Sequence, residues 1–325
     1  MSQENITKEF DVLIVGAGFA GLYQLLKLRK LGLTAVIIEK ADQVGGTWHW
    51  NRYPGARCDI PSLEYSYQFD DDLQQEWNWS EKYSAQPEIL EYINHVADKY
   101  ELRDDINFEE EVINATFDES SSKWSILTSK GKYRSKFCIF ATGCLSVPNK
   151  PDFQGLENFK GQILQTSTWP QEEQDFSGKK VAIIGTGSSA IQSIPLIANQ
   201  ADELYVFQRT PNYSIPSNNG PMDKDVEQEV KSRYSDFRKD NYLNGFGIAA
   251  ISDEALIAET DIDEVNRQLE ENWQGAGLGF FGGYADIPID KDANAVAANF
   301  VRNKIKEIVE DPQTASLLTP DYHIG

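Results

Sequence analysis

An apolar run, Phe10 to Val15, leads directly into Gly16-Ala17-Gly18-Phe19-Ala20-Gly21. The arrangement returns where Val181-Ala182-Ile183-Ile184 leads into Gly185-Thr186-Gly187-Ser188-Ser189-Ala190. This repeated pattern constrains the fold more than any other feature of the chain. In each copy the first glycine allows a tight turn and the second lets a pyrophosphate approach the backbone. The third position, Gly21 or Ala190, lets a helix pack close with its N-terminal NH groups facing the phosphates. Leu22 to Leu31 then reads as a helix and Thr34 to Glu39 as a second strand, and the later unit returns as Leu204 to Phe207.

Two such βαβ units predict an α/β chain with two Rossmann-like dinucleotide-binding domains, and hence two dinucleotides. The commonest pairing of that kind is FAD followed by NAD(P)H. Glu39 closes the first unit 18 residues after Gly21, where a carboxylate accepts hydrogen bonds from ribose hydroxyls. The second unit closes differently. Gln208-Arg209-Thr210 stands where an NAD binder carries an acid, so Arg209 can pair with a 2′-phosphate unopposed, which favours NADPH. The alternative for Arg209 is a surface arginine on a loop.

Between and after these units the pattern changes. A loop rich in glycine and aromatics runs from Gly45 to Asp59, and Pro87 to Tyr100 is helical. Asn107 to Phe117, Lys123 to Ser129 and Tyr133 to Ala141 read as strands of a mostly antiparallel stretch. Beyond Pro216, Val226, Val230, Tyr234 and Phe237 mark one helix face. Ala293, Val296, Ala297, Phe300, Val301, Ile305 and Ile308 mark another. Gly275 to Gly283 is too glycine-rich for a stable helix and reads as a pocket wall or a flexible linker. The predicted domains are 1–145 for FAD, 146–217 for NADPH, and a helical insertion over 218–325.

Composition narrows the classes of function. Lys and Arg number 30 against 51 Asp and Glu, a net charge of −21, and no basic stripe suits nucleic acid or an anionic membrane. Cys58, Cys138 and Cys144 form neither a CxxC redox pair nor a zinc pattern, and His49, His95 and His323 are scattered, so no metal is expected. No apolar run approaches the ~20 residues of a membrane span. Met1 to Glu9 is polar and acidic, unlike a secretion or transit signal, so the expected location is cytoplasmic.

Further blocks resemble the Baeyer–Villiger monooxygenases, and the resemblance covers essentially the whole chain. Gly45-Gly46-Thr47-Trp48-His49-Trp50-Asn51-Arg52-Tyr53-Pro54-Gly55-Ala56-Arg57-Cys58-Asp59 fits the family pattern [A/G]GxWxxxx[F/Y]P[G/M]xxxD at every fixed position. Phe159, Gly161, Trp169 and Pro170 match the fingerprint FxGxxxHxxxW[P/D], but Gln165 stands at its histidine. Glutamine can donate and accept hydrogen bonds there, yet cannot carry charge near neutral pH. Ala141-Thr142-Gly143 resembles the family's passage from the FAD to the NADPH domain, and Glu271 to Pro312 resembles its helical insertion.

The resemblance implies a glutathione-reductase-like pair of nucleotide domains in a flavoprotein that turns a ketone, with O2 and NADPH, into an ester or lactone through a flavin C4a-peroxide. It implies cofactor contacts from Gly16, Gly18, Phe19, Gly21, Glu39, Gly46, Thr47, Trp48, Asp59, Tyr65 and Val112. It implies the same of Gly185, Thr186, Gly187, Ser188, Ser189, Gln192, Arg209 and Thr210. Asp59 matches the aspartate beside the flavin and Arg57 would face the nicotinamide; these are the candidate catalytic residues. A loop carboxylate satisfied by nearby NH groups is the structural alternative for Asp59. The family's peroxide-holding arginine follows a segment like Thr319 to Gly325, so the chain is expected to be C-terminally truncated, inactive alone, and completed by a further half. Rival readings are an N- or S-oxidising flavin monooxygenase and a non-catalytic nucleotide-binding remnant; a disulfide reductase is disfavoured for want of a close cysteine pair.

Overall fold

The computed structural model describes residues 7–244, 247–248, 255–275 and 277–325. Met1 to Ile6 of the polar N-terminal stretch, and Ala276 of the glycine-rich one, therefore lie outside the described residues. In chain order the elements are β1 (Lys8–Val15), α1 (Phe19–Lys30), β2 (Ala35–Ile38), α2 (Thr47–Trp50), α3 (Asp71–Glu76), α4 (Gln86–Lys99), β3 (Ile106–Asn107), β4 (Val112–Asp118), β5 (Lys123–Thr128) and β6 (Lys132–Phe140). They continue as β7 (Lys180–Ile184), α5 (Ser188–Ala198), β8 (Glu203–Phe207), α6 (Lys224–Ser232), α7 (Tyr234–Leu243), α8 (Ile262–Gly275), α9 (Lys291–Ile308) and α10 (Pro312–Leu318). Two compact units result: residues up to Tyr53 with Gln86–Gln174, and Pro54–Ala85 with Asp175–Gly325.

The first unit is built on a six-stranded sheet in the order β3-β2-β1-β6-β5-β4. β1 pairs in parallel with β2 and β6, and β2 with β3, whereas β5 runs antiparallel to both β4 and β6. All four residues of β2 are buried, as expected of a parallel strand covered on both faces. Against it α1 buries Leu22, Leu25, Leu26 and Leu28, the helical spacing of its apolar side. Lys27, Arg29 and Lys30 crowd its last turn, where cations meet the negative end of the helix dipole.

The strand expected over Asn107 to Phe117 is two strands. Glu109 adopts a left-handed backbone (φ 54°), and the segment between β3 and β4 instead bonds back to β2's exit, Glu109 N to Ala41 O and Glu110 N to Glu39 O. The break buries Glu110, which accepts hydrogen bonds from the Thr128 and Tyr133 hydroxyls. Burial and this donation push the Tyr133 hydroxyl up to about 12. A folded-state pKa above the unfolded value of 10.0 contributes stability below pH 10 that is lost as pH rises through about 12. Alkaline titration followed by circular dichroism and tyrosinate absorbance should show that loss, and Tyr133→Phe should show a shallower one. At neutral pH the variant should be less stable by about 1–2 kcal/mol, because Glu110 loses a donor. An unchanged alkaline limb would refute this.

In the second unit β7 and β8 form a two-stranded parallel sheet, with α5 between them in sequence. The helical part has its own core, in which Val265, Leu269 and Trp273 of α8 meet Ala297 and Val301 of α9. Ile308, expected on that face of α9, is 64% exposed. The single helix face expected from Val226 to Phe237 is split between α6 and α7. The backbone leaves the helical region at Arg233 (φ −132°, ψ 32°), and Val226 stays exposed while Val230, Tyr234 and Phe237 are buried. Gly277–Gly283 forms a 3-10 run whose Phe280 is fully buried, so this part packs as core and is not a free linker. Among the described residues no helix is long and apolar enough to cross a membrane.

Candidate functional site

Both glycine turns stand at strand-to-helix junctions. In the first unit Gly16 follows β1 with φ 103°, a conformation side chains disfavour, and a Cβ there would lie 2.7 Å from Ala141 O. Gly18 is the N-cap of α1, no side chain caps that end, and no acid lies in its first turn. The first-turn NH groups and the dipole are thus directed at any anion placed before them. Gly46 packs beside Gly18, where a Cβ on Gly46 would approach Gly18 Cα to 3.0 Å. Such close backbones leave a shallow, Cβ-free cradle of the kind a pyrophosphate needs.

Glu39 is buried just beyond β2. Its Oε2 accepts from Ala17 N at 2.6 Å and its Oε1 from Ala41 N at 2.7 Å. The carboxylate is therefore aimed at the glycine turn by two backbone donors, and each oxygen keeps a lone pair for a ribose hydroxyl. Phe19 lies 6.3 Å from the Tyr92 ring. Thr47 is exposed at the start of α2, while Trp48 is buried with its carbonyl accepting from Gln86 Nε2. His49 is buried edge-on to Trp50, and burial with the nearby Arg52 charge pushes its pKa down, favouring neutral imidazole. Val112 is half-buried at the start of β4, against the sheet's core. Gln165, at the fingerprint's histidine position, donates to Asn149 O at 2.9 Å.

In the second unit Gly185 follows β7 with φ 105°, and Gly187 is the uncapped N-cap of α5. A Cβ on either glycine would meet nothing within 4 Å, so this turn is open where the first is crowded. Ser188 and Ser189 begin α5, and Ser189 O accepts from Ser193 Oγ. Arg209 and Thr210 are exposed just past β8, and no acid stands among the flanking residues Val206 to Asn212. Asn212, which the sequence did not single out, donates to Thr186 O at 2.9 Å and tethers the glycine turn. Its position three residues past Arg209 was the only available signal.

The loop bearing the two candidate catalytic residues also belongs to this unit. Arg57 Nη1 donates to Glu81 Oε2 at 2.9 Å and to Tyr83 O at 3.1 Å, and Asn219 donates to the same two acceptors. Glu81 and Asn219 lie far along the chain and nothing local marks them. Asp59 accepts from Gln192 Nε2 at 3.0 Å. Although its side chain reaches solvent, the protein crowded around it raises its pKa; the Gln192 hydrogen bond and the Arg57 charge oppose the rise. Tyr65 is half-buried, its NH bonded to Pro61 O. Cys58, Cys138 and Cys144 are all free, and burial pushes the Cys58 thiol up to about 12, which keeps it protonated and unreactive. Among the described residues no group of three or more His, Cys, Asp or Glu could hold a metal ion.

Comparison with known proteins agrees with this geometry. The family profile described as pyridine nucleotide-disulphide oxidoreductase matches residues 13–265. A Baeyer-Villiger monooxygenase of Pseudooceanicola batsensis is 41% identical over 323 residues, 98% of this chain and 59% of the relative. A phenazine N-monooxygenase of Lysobacter antibioticus is 38% identical over 323 residues, again 98% of this chain and 59% of the relative. The solved structure of an oxidized steroid monooxygenase bound to NADP superposes with a TM-score of 0.95 at 46% identity, covering 98% of this chain and 61% of that one. The chain thus spans about three fifths of the length of the proteins it matches. Two glycine turns, the Gly45–Asp59 block and these likenesses converge: the chain belongs to the pyridine nucleotide-disulphide oxidoreductase family, and over 98% of its own length it is similar to a Baeyer-Villiger monooxygenase.

Proposed function

We propose that this chain binds FAD at its first glycine turn and NADPH at its second, in an enzyme that oxidises a ketone with O2 to an ester or lactone. The observation that carries the reading is the pair of uncapped, Cβ-free strand-to-helix turns, one followed by a buried carboxylate and the other by an exposed arginine. Residues 1–145 would serve FAD, 146–217 NADPH, and 218–325 would form a helical insertion. Because the chain spans about 59–61% of its relatives, the complete reaction is proposed for a protein that contains it, with the remaining part as its partner. Three free cysteines suit a reducing, cytoplasmic setting.

When bound, FAD supplies the oxygen-transferring centre and NADPH the hydride that reduces it. The protein's own contribution is placement and electrostatics. The first turn of α1 and the Glu39 carboxylate would hold pyrophosphate and ribose; α5, Thr186 and Arg209 would hold the phosphates of the second nucleotide. Arg57, held by Glu81 and Tyr83 O, would present a fixed positive charge at the nicotinamide, and Asp59 a carboxylate beside the flavin. Gln165 would keep a hydrogen-bonding role where the fingerprint pattern has a titratable histidine.

The test is direct. Purified chain should retain flavin absorbance or regain it with added FAD, and calorimetry should show NADP+ bound more tightly than NAD+. Arg209→Ala should cost NADP+ about 1–2 kcal/mol, roughly tenfold in Kd, and leave NAD+ unchanged. A colourless chain that binds neither nucleotide would overturn the proposal. A second reading, N-oxidation, is favoured by the likeness to the phenazine N-monooxygenase. Product analysis of the full-length enzyme with a ketone and an aromatic amine oxide precursor separates the two.

A further inference from the structure

We propose that Gln192 is a positioning residue, tying the helix that opens at the second glycine turn to the loop that carries Arg57 and Asp59, rather than a cofactor contact. The inference rests on the functional reading above only in calling that loop the catalytic one. Gln192 sits one turn into α5. Its Oε1 accepts from Arg57 N at 3.3 Å, and its Nε2 donates to Arg57 O at 3.2 Å and to Asp59 Oδ1 at 3.0 Å. A primary amide has two N–H donors, so both are spent on this loop and neither is left for a nucleotide.

An independent feature shows that the loop is built to lie on α5. Gly55 has φ 80°, and a Cβ there would fall 2.3 Å from Gln192 O, so only glycine lets the two backbones come this close. The same residue is thus met twice, by its carbonyl under Gly55 and by its amide across Arg57 and Asp59. Charge follows geometry. The groups that face Asp59 are Arg57, the Cys58 thiol and the Tyr83 hydroxyl. Of these only Arg57 favours the carboxylate, and it is already paired with Glu81. The Gln192 donor therefore holds a larger share of Asp59's ionisation than an exposed amide would, and removing it should make Asp59 harder to ionise.

Aspartate labelled at its side-chain carboxyl carbon and introduced into the whole chain allows Asp59 to be titrated by NMR, with Asp59→Asn assigning its signal. Gln192→Leu and Gln192→Met keep volume and remove both the donors and the acceptor; using two variants guards against one that fails to fold. Both should move the Asp59 midpoint upward, with the native circular dichroism spectrum retained and NADP+ Kd changed less than about threefold, below 1 kcal/mol. An Asp59 midpoint that does not move in either variant overturns the proposal. So does a tenfold or greater loss of NADP+ affinity with that midpoint unmoved, since Gln192 would then be a nucleotide contact. The titration needs no nucleotide, so a chain that bound no NADP+ would remove the cofactor reading and leave the Asp59 result standing.

Discussion

Gly21→Ala is expected to abolish flavin retention and to destabilise the first unit by about 3 kcal/mol or more, at the upper end of what overpacking costs. A Cβ on Gly21 would lie 1.9 Å from Gly16 O and 3.1 Å from the carbonyl carbon behind it. These are backbone atoms of the glycine turn itself, so no side chain can swing aside. Either α1 lifts from β1 or the turn opens, and both destroy the cradle. Gly187→Ala, at the second position of the other turn, is the contrasting case. Its φ of −74° suits alanine, and a Cβ would meet nothing within 4 Å. That variant should unfold within about 0.5 kcal/mol of the parent. It should nonetheless bind NADP+ more weakly, because the added methyl stands where the pyrophosphate must approach the backbone. Urea unfolding, flavin absorbance and NADP+ calorimetry on the three proteins decide it. A Gly21→Ala chain that stays yellow and as stable as the parent would show the first turn to be misread.

The second large effect is expected in the helical part. Phe280 is fully buried, with ring centroids 6.3 Å from Trp273, 6.0 Å from Phe300 and 5.7 Å from Phe281. Phe280→Ala removes the ring around which three aromatics of the 3-10 run and of α8 and α9 meet. A cavity should persist, and truncations of this kind cost about 3–5 kcal/mol. The denaturation midpoint should fall with an unchanged m value. A loss below about 1 kcal/mol would mean that the Gly277–Gly283 run yields after all, as a linker would.

Much of the fold was legible before any coordinates. The apolar runs before Gly16 and Gly185, and the period of α1, α4 and α9, are short-range signals, and those elements formed within a few residues of expectation. The misreadings have physical causes. Asn107 to Phe117 reads as one strand in the sequence, but burying Glu110 against Thr128 and Tyr133 required a break at Glu109. Val226 to Phe237 keeps helical spacing across Arg233, and spacing alone cannot reveal a residue whose backbone turns away. Within the candidate sites, Asn212, Glu81 and Asn219 escaped notice because hydrogen-bonding side chains carry no periodicity.

What the sequence alone determined is whatever sterics and periodicity decide over a few residues: two strand-to-helix turns open to a diphosphate, an acid after one and an arginine after the other. Only the tertiary structure decided the pairings. Arg57 is held by Glu81, to which Asn219 also donates, and Gln192 reaches back 135 residues to Arg57, because chain path, not composition, brings a donor to its acceptor. Each such contact is worth only about 1 kcal/mol, too little to leave a local trace in the sequence, yet several together set where the charges of a reaction must stand.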